Sequence, residues 1–248
     1  MNADKILFAI VIPTYYRKNG STLNYIKRCF ESITYQTHPY WIIYLIGDEY
    51  ENVEEFASFE KLIEPIYSNR LKIYNKPDPE RNYIMNKTKL WNIAGATAVN
   101  YGLKWARDDG IKYYAHIHDD DFWNNDHLAL LADVYQKYPN CIFAYTQSTY
   151  PASINPATPF LPHVNLEISE NNLLPKQGIL VHSSISFRCD IIPYNYFTTR
   201  NENEIIGPAD GIMWDQINQF IQANNKYCAI LVPSITCHHD EEKVVISS

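Results

Sequence analysis

Short apolar runs alternate with segments of helical spacing along the first half of this chain. The runs cover residues 6–12, 41–46 and 113–117, and continuous apolar runs of this length are typical of strands covered on both faces. Between them, apolar residues recur at helical spacing over residues 21–33 and 90–107. Strands that alternate with helices in this way predict an α/β fold, with a mostly parallel sheet and helices on both faces.

The pattern changes in the second half of the chain. Residues 150–176 contain five prolines and predict a long loop, either a segment that covers a substrate or a disordered excursion. A strand around residues 185–187, a helix over 214–223 and a strand over 227–232 follow. Since no repeat or linker interrupts the chain, we predict one domain over residues 1–248 with an elaborated C-terminal half.

Composition excludes several classes of protein. The 248 residues carry 21 Lys+Arg and 28 Asp+Glu, and the resulting net charge of -7 argues against a general nucleic-acid binder. The five cysteines are scattered and form no CxxC pair, which favours free thiols and a cytoplasmic location over a disulfide framework. No apolar run is long enough to predict a transmembrane segment, so any membrane attachment is expected to be peripheral.

Three successive carboxylates, Asp119, Asp120 and Asp121, follow the apolar run 113–117. Like charges side by side repel one another, and a divalent cation relieves that cost because Mg²⁺ and Mn²⁺ prefer oxygen ligands. Polar turns also follow the first two runs, at residues 13–17 and 47–49. Ligands of open α/β sheets bind at the carboxyl ends of the strands, so these turns predict a metal site and a phosphate-bearing substrate.

In their order and spacing, these motifs resemble those of family 2-type glycosyltransferases of the GT-A fold. The first strand with residues 13–17 resembles the family's opening strand and its Pro-Thr-aromatic-x-Arg turn, and Gly47-Asp48 is similar to the segment that contacts the nucleobase. Asn100-x-Gly102 matches a helical motif of the family, and residues 118–126 match its DxD region. Residues 213–216 lie where the family carries a catalytic Asp at a helix start.

The resemblance implies a GT-A (Rossmann-like) fold, with residues 1–125 as the nucleotide-sugar-binding half and 126–248 as the acceptor-binding and catalytic half. It implies a metal-dependent, inverting transfer from a UDP- or GDP-sugar to a glycan or glycoconjugate acceptor, with Mn²⁺ or Mg²⁺ as cofactor. The implied metal ligands are Asp120, Asp121 and His238. The implied nucleotide-sugar contacts are Pro13, Thr14, Tyr15, Arg17, Asp48, Asp119 and Asp120.

An acceptor hydroxyl needs a general base, because its own pKa lies far above neutral pH. The resemblance assigns this role to Asp215, and Asp210, in the polar turn 207–211, is the rival. His239 is an alternative to His238 as the metal ligand.

Three other functions stay open from sequence alone. A nucleotidyltransferase is the first, although the turn after the first strand lacks the glycine-rich loop usual in that class. A glycoside hydrolase could pair Asp121 with Asp215 without a metal. The third is a homologue that binds a nucleotide sugar without turnover.

Overall fold

The computed structural model describes residues 5–149, 175 and 180–239, and over these residues it is an α/β structure. One eight-stranded sheet runs through it in the order β3-β2-β1-β4-β7-β6-β8-β5. The strands are β1 (Phe8–Thr14), β2 (Trp41–Asp48), β3 (Leu71–Lys76), β4 (Tyr113–His116), β5 (Phe122–Trp123), β6 (Cys141–Thr149), β7 (Ile185–Arg188) and β8 (Cys228–His238). The α-helices are α1 (Thr22–Thr34), α2 (Val53–Ser58), α3 (Lys87–Ile93), α4 (Ala96–Asp108), α5 (His127–Lys137) and α6 (Ala209–Ala223). Short 3₁₀ helices span Phe59–Leu62, Pro65–Arg70, Arg81–Tyr83, His182–Ser184 and Glu202–Glu204.

The sheet is parallel in its first half and mixed in its second. β3, β2, β1 and β4 pair in parallel, as the alternating strand and helix pattern predicts. β7 then runs antiparallel to both β4 and β6, and β5 runs antiparallel to β8. The predicted α/β fold is confirmed, and the antiparallel pairings all involve β7 or β8, which belong to the elaborated second half.

Side chains of β1 alternate between two cores, one on each face of the sheet. Phe8, Ile10 and Ile12 pack with α1, α2 and α5, whereas Ala9 and Val11 pack with α4 and α6. This is the period of two expected for a strand covered on both faces.

Two predicted helices differ from the structure. The helix expected over 90–107 is two helices, α3 and α4, because Gly95 has a φ of +75° that breaks the helical path. The helix expected over 214–223 begins at Ala209, directly after Pro208. The loop predicted over 150–176 lies outside the described residues except for Pro175.

Gly102 allows α4 to lie close against the sheet. A Cβ at this position would stand 2.5 Å from Val11 Cγ1 and 3.2 Å from Ile46 Cγ1. The Gly of the Asn-x-Gly motif therefore has a packing role. Among the described residues, no helix is both long and apolar enough to cross a membrane.

Candidate active site

The carboxyl ends of β1, β2 and β4 meet at one edge of the sheet. Thr14, the last residue of β1, pairs with Gly47 of β2, and Val11 pairs with His116 of β4. This register brings the turn after β4 beside the end of β1, where Thr14 Oγ1 donates a hydrogen bond of 2.7 Å to Asp119 Oδ2. Two motifs 105 residues apart are thus joined directly.

Arg17 forms a buried, bidentate ion pair with Asp119. Nη1 lies 2.6 Å from Asp119 Oδ2 and Nη2 lies 2.7 Å from Asp119 Oδ1, while Nη2 also donates to Asp120 Oδ2 at 2.8 Å. Burial alone would lower the pKa of Arg17, but the hydrogen bonds and charge of Asp119 raise it above its ordinary value. Burial raises the pKa of Asp119, against the hydrogen bonds from Arg17 and Thr14. In this structure, Arg17 and Asp119 are occupied with each other.

Asp121, the last residue of the triplet, is fully buried and has a partner on each oxygen. Its Oδ1 lies 2.8 Å from His239 Nδ1, and its Oδ2 accepts a hydrogen bond from Ser183 Oγ. His118 Nδ1 stands 4.0 Å from Asp121 Oδ2. The ligand atoms of His118, Asp120 and Asp121 all lie within 4.8 Å of one another. One imidazole and two carboxylates form a donor set that suits a divalent ion such as Mn²⁺ or Mg²⁺.

The predicted third ligand, His238, does not join this set. Its ring stacks on Phe122, with centroids 4.8 Å apart, and its Nε2 lies 2.9 Å from Asn124 Oδ1. The next residue, His239, contacts Asp121 instead. This arrangement follows from backbone geometry, because successive side chains of an extended chain point in opposite directions, and His239 directly follows the last residue of β8.

The two candidate bases lie on different sides of α6. Asp210 is half-buried in the first turn, and burial raises its pKa, opposed by the Gly211 N–H and by the charge of His118. Asp215 is exposed. The two residues are five steps apart along the helix, and at 100° per step their side chains point about 140° apart around the helix axis. α6 begins five residues earlier than the sequence predicts, so Asp210 lies one helical turn before Trp214. The Trp214 ring centroid is 5.4 Å from that of His182, which is 5.3 Å from that of His118, so Asp210 and not Asp215 lies on the helix face towards these rings.

Asp48 lies at the end of β2, is only 2% exposed, and pairs with Arg81. Arg81 Nη2 also donates to the Asp48 carbonyl at 2.9 Å, and Thr97 Oγ1 donates to Asp48 Oδ1 at 3.3 Å. Burial raises the pKa of Asp48, and the charge of Arg81 and the Thr97 hydrogen bond oppose that shift. The sequence predicts Asp48 as a site residue but not its partner Arg81. Arg81 belongs to no motif, and a single arginine in a polar turn gives little reason to choose it.

Stacked imidazoles form a wall of the site behind His118. His116 and His182 stack with centroids 3.5 Å apart and planes 8° apart, and His182 Nε2 lies 2.7 Å from Tyr196 Oη. Burial lowers the pKa of both rings well below the ordinary value, so both are neutral at pH 7. The nitrogens of these two rings and of His118 lie within 4.8 Å of one another. In a parallel stack, however, the nitrogen lone pairs of the two rings lie in parallel planes and do not converge on one point. That arrangement suits a rigid wall better than a shared ion.

Comparison with known proteins identifies the family. The family model described as Glycosyl transferase family 2 matches residues 9–193 of this chain, from β1 to beyond β7. The chain belongs to glycosyltransferase family 2. A glycosyltransferase of Acanthamoeba polyphaga mimivirus, R139, is 56% identical to it over 239 residues, which cover 96% of this chain and 95% of the relative. The protein CgeD of Bacillus subtilis (strain 168) is 23% identical over 137 residues, or 55% of this chain and 28% of CgeD.

Solved structures of TarS from S. aureus share the fold of this family 2 protein. A crystal structure of TarS residues 1–349 matches with a TM-score of 0.57 at 13% identity, and covers 94% of this chain. A crystal structure of the same TarS segment in complex with UDP-GlcNAc matches with a TM-score of 0.60 at 12% identity. The chain spans 60% and 58% of these two TarS chains.

Family membership decides among the functions that the sequence leaves open. The protein is a glycosyltransferase, and the nucleotidyltransferase and glycoside hydrolase alternatives are not supported. Of the predicted site residues, the structure brings together Thr14, Arg17, Asp119, Asp120 and Asp121. It also places there His118, Ser183 and the two alternatives named from sequence, Asp210 and His239, whereas His238 contacts Asn124 and Asp215 is exposed.

Proposed function

We propose that this protein is a metal-dependent, inverting glycosyltransferase that moves a sugar from a nucleoside-diphosphate sugar to a hydroxyl acceptor. One observation carries the proposal: His118 belongs to a divalent-ion donor set, and its charge acts on Asp210, a half-buried carboxylate at a helix start. Such a site places a charge-neutralising ion and a general base around one reacting centre.

The donor side of the site is built from the acidic triplet. Asp120 and Asp121, with His118 beside them, would hold Mn²⁺ or Mg²⁺, and His239 would steady Asp121 from the other side. A divalent ion bound there neutralises the charge that develops on the leaving diphosphate. The bidentate pair of Arg17 and Asp119 would fix the position of the turn that carries Asp120 and Asp121.

Asp210 is the proposed general base. Its raised pKa lies closer to working pH than that of an ordinary carboxylate, which makes proton acceptance more effective. Asp210 would take the proton from the acceptor hydroxyl as that oxygen attacks the anomeric carbon. Attack from the face opposite the leaving diphosphate inverts the configuration of that carbon.

The nucleotide would lie over the ends of β1 and β2, where Pro13, Thr14, Tyr15 and Asp48 are found. Tyr15 is 46% exposed, with the Arg17 guanidinium 4.2 Å from its ring centroid, and would offer an aromatic surface to the base, while Arg81 on Asp48 would offer hydrogen bonds. The TarS structures with UDP and UDP-GlcNAc support a uridine nucleotide over a guanosine one. We further propose a glycan or glycoconjugate acceptor and a reducing, cytoplasmic setting, in keeping with five buried free thiols.

A matched pair of variants tests the function. UDP release from UDP-GlcNAc, UDP-glucose and UDP-galactose is measured with Mn²⁺ and with EDTA, with UDP affinity as the control for folding. We expect turnover only with the metal, and a loss of about 10²–10⁴-fold in Asp210→Asn. Asp215→Asn should keep wild-type turnover, since its side chain is exposed on the far side of α6. Turnover that survives EDTA, or an active Asp210→Asn variant beside an inactive Asp215→Asn, would refute the assignment.

A further inference from the structure

Ser183 ties together both ends of the acidic turn, and the proposed metal site depends on that turn. It is fully buried in the 3₁₀ helix His182–Ser184, which precedes β7. Its Oγ accepts a hydrogen bond of 2.9 Å from the His118 N–H, ahead of the triplet, and donates to Asp121 Oδ2. Its carbonyl accepts a hydrogen bond of 2.7 Å from Trp123 Nε1, beyond the triplet.

The direction of the Ser183 hydroxyl is set by its neighbours. A backbone N–H can only donate, so the His118 N–H uses a lone pair of Ser183 Oγ. A carboxylate only accepts, so the single hydroxyl hydrogen is directed to Asp121 Oδ2. The Ser183 backbone is held in turn by the hydrogen bond that its carbonyl accepts from Trp123 Nε1, so the hydroxyl donates in one fixed direction.

We propose that Ser183 is a positioning residue for the divalent-ion site, orienting the Asp121 carboxylate and the His118 backbone so that their side chains converge on one ion. The inference rests on the metal site of the proposed function. Groups that hydrogen-bond a ligating carboxylate orient it, and their removal typically costs about 10–100-fold in metal affinity.

The neighbouring serine provides a matched control. Ser184 is 1% exposed and lies in the same 3₁₀ helix, but its Oγ donates to the Val181 carbonyl at 2.7 Å. Ser184→Ala therefore removes a buried hydroxyl of the same kind, one residue away, without touching the acidic turn. Any general cost of losing a buried hydroxyl here should affect both variants alike.

Metal affinity is measured directly from the EPR signal of free Mn²⁺, which falls as the ion binds. The wild type, Ser183→Ala and Ser184→Ala are titrated at saturating UDP, with the Mn²⁺ that UDP alone binds subtracted from each curve, and UDP affinity in EDTA and thermal stability are measured alongside. We expect the Kd for Mn²⁺ to rise about 10–100-fold in Ser183→Ala and to stay at the wild-type value in Ser184→Ala. UDP affinity in EDTA should be unchanged in both.

Four outcomes decide the proposal. A folded Ser183→Ala variant with wild-type Mn²⁺ affinity overturns it. Should that variant not fold, Ser183→Cys keeps the side-chain volume and offers only a weak donor, so a wild-type Kd there overturns it equally. If the wild type itself leaves Mn²⁺ free with UDP present, the metal dependence of the proposed function fails, and the role of Ser183 fails with it. If the wild type binds Mn²⁺ and only Ser183→Ala binds it more weakly, the result supports both the metal dependence and the role of Ser183.

Discussion

Replacing Arg17 with methionine tests whether this arginine serves the fold or the substrate. The family resemblance implies a nucleotide-sugar contact, whereas the structure pairs the Arg17 guanidinium with Asp119 at 2.6 and 2.7 Å and with Asp120 at 2.8 Å. The side chains of Arg17 and Asp119 are only 10% and 4% exposed. Arg17→Met keeps much of the apolar stem and removes every one of these hydrogen bonds.

The expected cost follows from the burial of the pair. Removing one partner of a buried ion pair leaves an uncompensated charge and costs about 3–5 kcal/mol of unfolding free energy. In Arg17→Met that charge is on Asp119, with Asp120 beside it. Adding Asp119→Asn removes the stranded charge, so the double variant should be more stable than Arg17→Met alone. Such recovery is the signature of direct coupling between the two side chains.

Urea unfolding followed by circular dichroism gives these free energies, with Arg188→Met as the control. Arg188 also makes a bidentate pair, with Asp190 at 2.8 and 2.7 Å, but Asp190 is 33% exposed, so its loss should cost only about 0–1 kcal/mol. The reasoning is refuted if Arg17→Met unfolds like the wild type while its affinity for UDP with Mn²⁺ collapses. That result would restore the role predicted from sequence.

Three further predictions concern the metal, the pH dependence of stability and the packing of α4. His118→Asp should lower the ratio of Mn²⁺ to Mg²⁺ affinity in calorimetric titrations, because imidazole favours later metals than carboxylate does, and an unchanged ratio would exclude His118 as a ligand. Burial lowers the pKa of His127 to about 3, whereas in the unfolded chain the pKa of this histidine is about 6.5. As the pH falls, the unfolded state therefore takes up the proton at a higher pH than the folded state does. Stability should therefore fall as pH drops from about 6.5 towards 3, by up to about 1.4 kcal/mol per pH unit, and His127→Gln should flatten that slope in urea unfolding. Gly102→Ala, with its Cβ 2.5 Å from Val11 Cγ1, should cost about 1–3 kcal/mol, and an unchanged Tm would show that α4 shifts freely.

The parallel half of the sheet could be predicted because its strands are apolar on both faces. β1, β2 and β4 coincide with the apolar runs, and polar turns mark their ends. The break at Gly95 could not be read from spacing, since apolar residues recur at helical spacing on both sides of it. Only its φ of +75° separates α3 from α4, and a glycine within a helical pattern is compatible with either path.

The composition of the acidic turn was predictable, but its partners were not. Asp119, Asp120 and Asp121 are adjacent in the sequence and follow one strand, which suffices to predict where a metal site would lie. Ser183 and Arg81 come from distant turns and carry no motif, so their contacts with Asp121 and Asp48 depend on how those turns pack. The sequence also could not distinguish His238 from His239, because a shift of one residue at the end of a strand moves the side chain to the opposite face of the sheet.

The choice between the two candidate bases depends on where α6 begins. The family resemblance places a catalytic Asp at a helix start, and the apolar stripe from Trp214 predicts a helix that begins next to Asp215. The helix in fact begins at Ala209, so Asp210 occupies the first turn and Asp215 faces solvent. A carboxylate at a helix N-terminus is favoured in its charged form by the helix dipole, yet burial raises the pKa of Asp210 above its ordinary value. Burial thus brings the pKa of Asp210 closer to working pH while the helix dipole still favours the carboxylate, which suits the general base that we propose here.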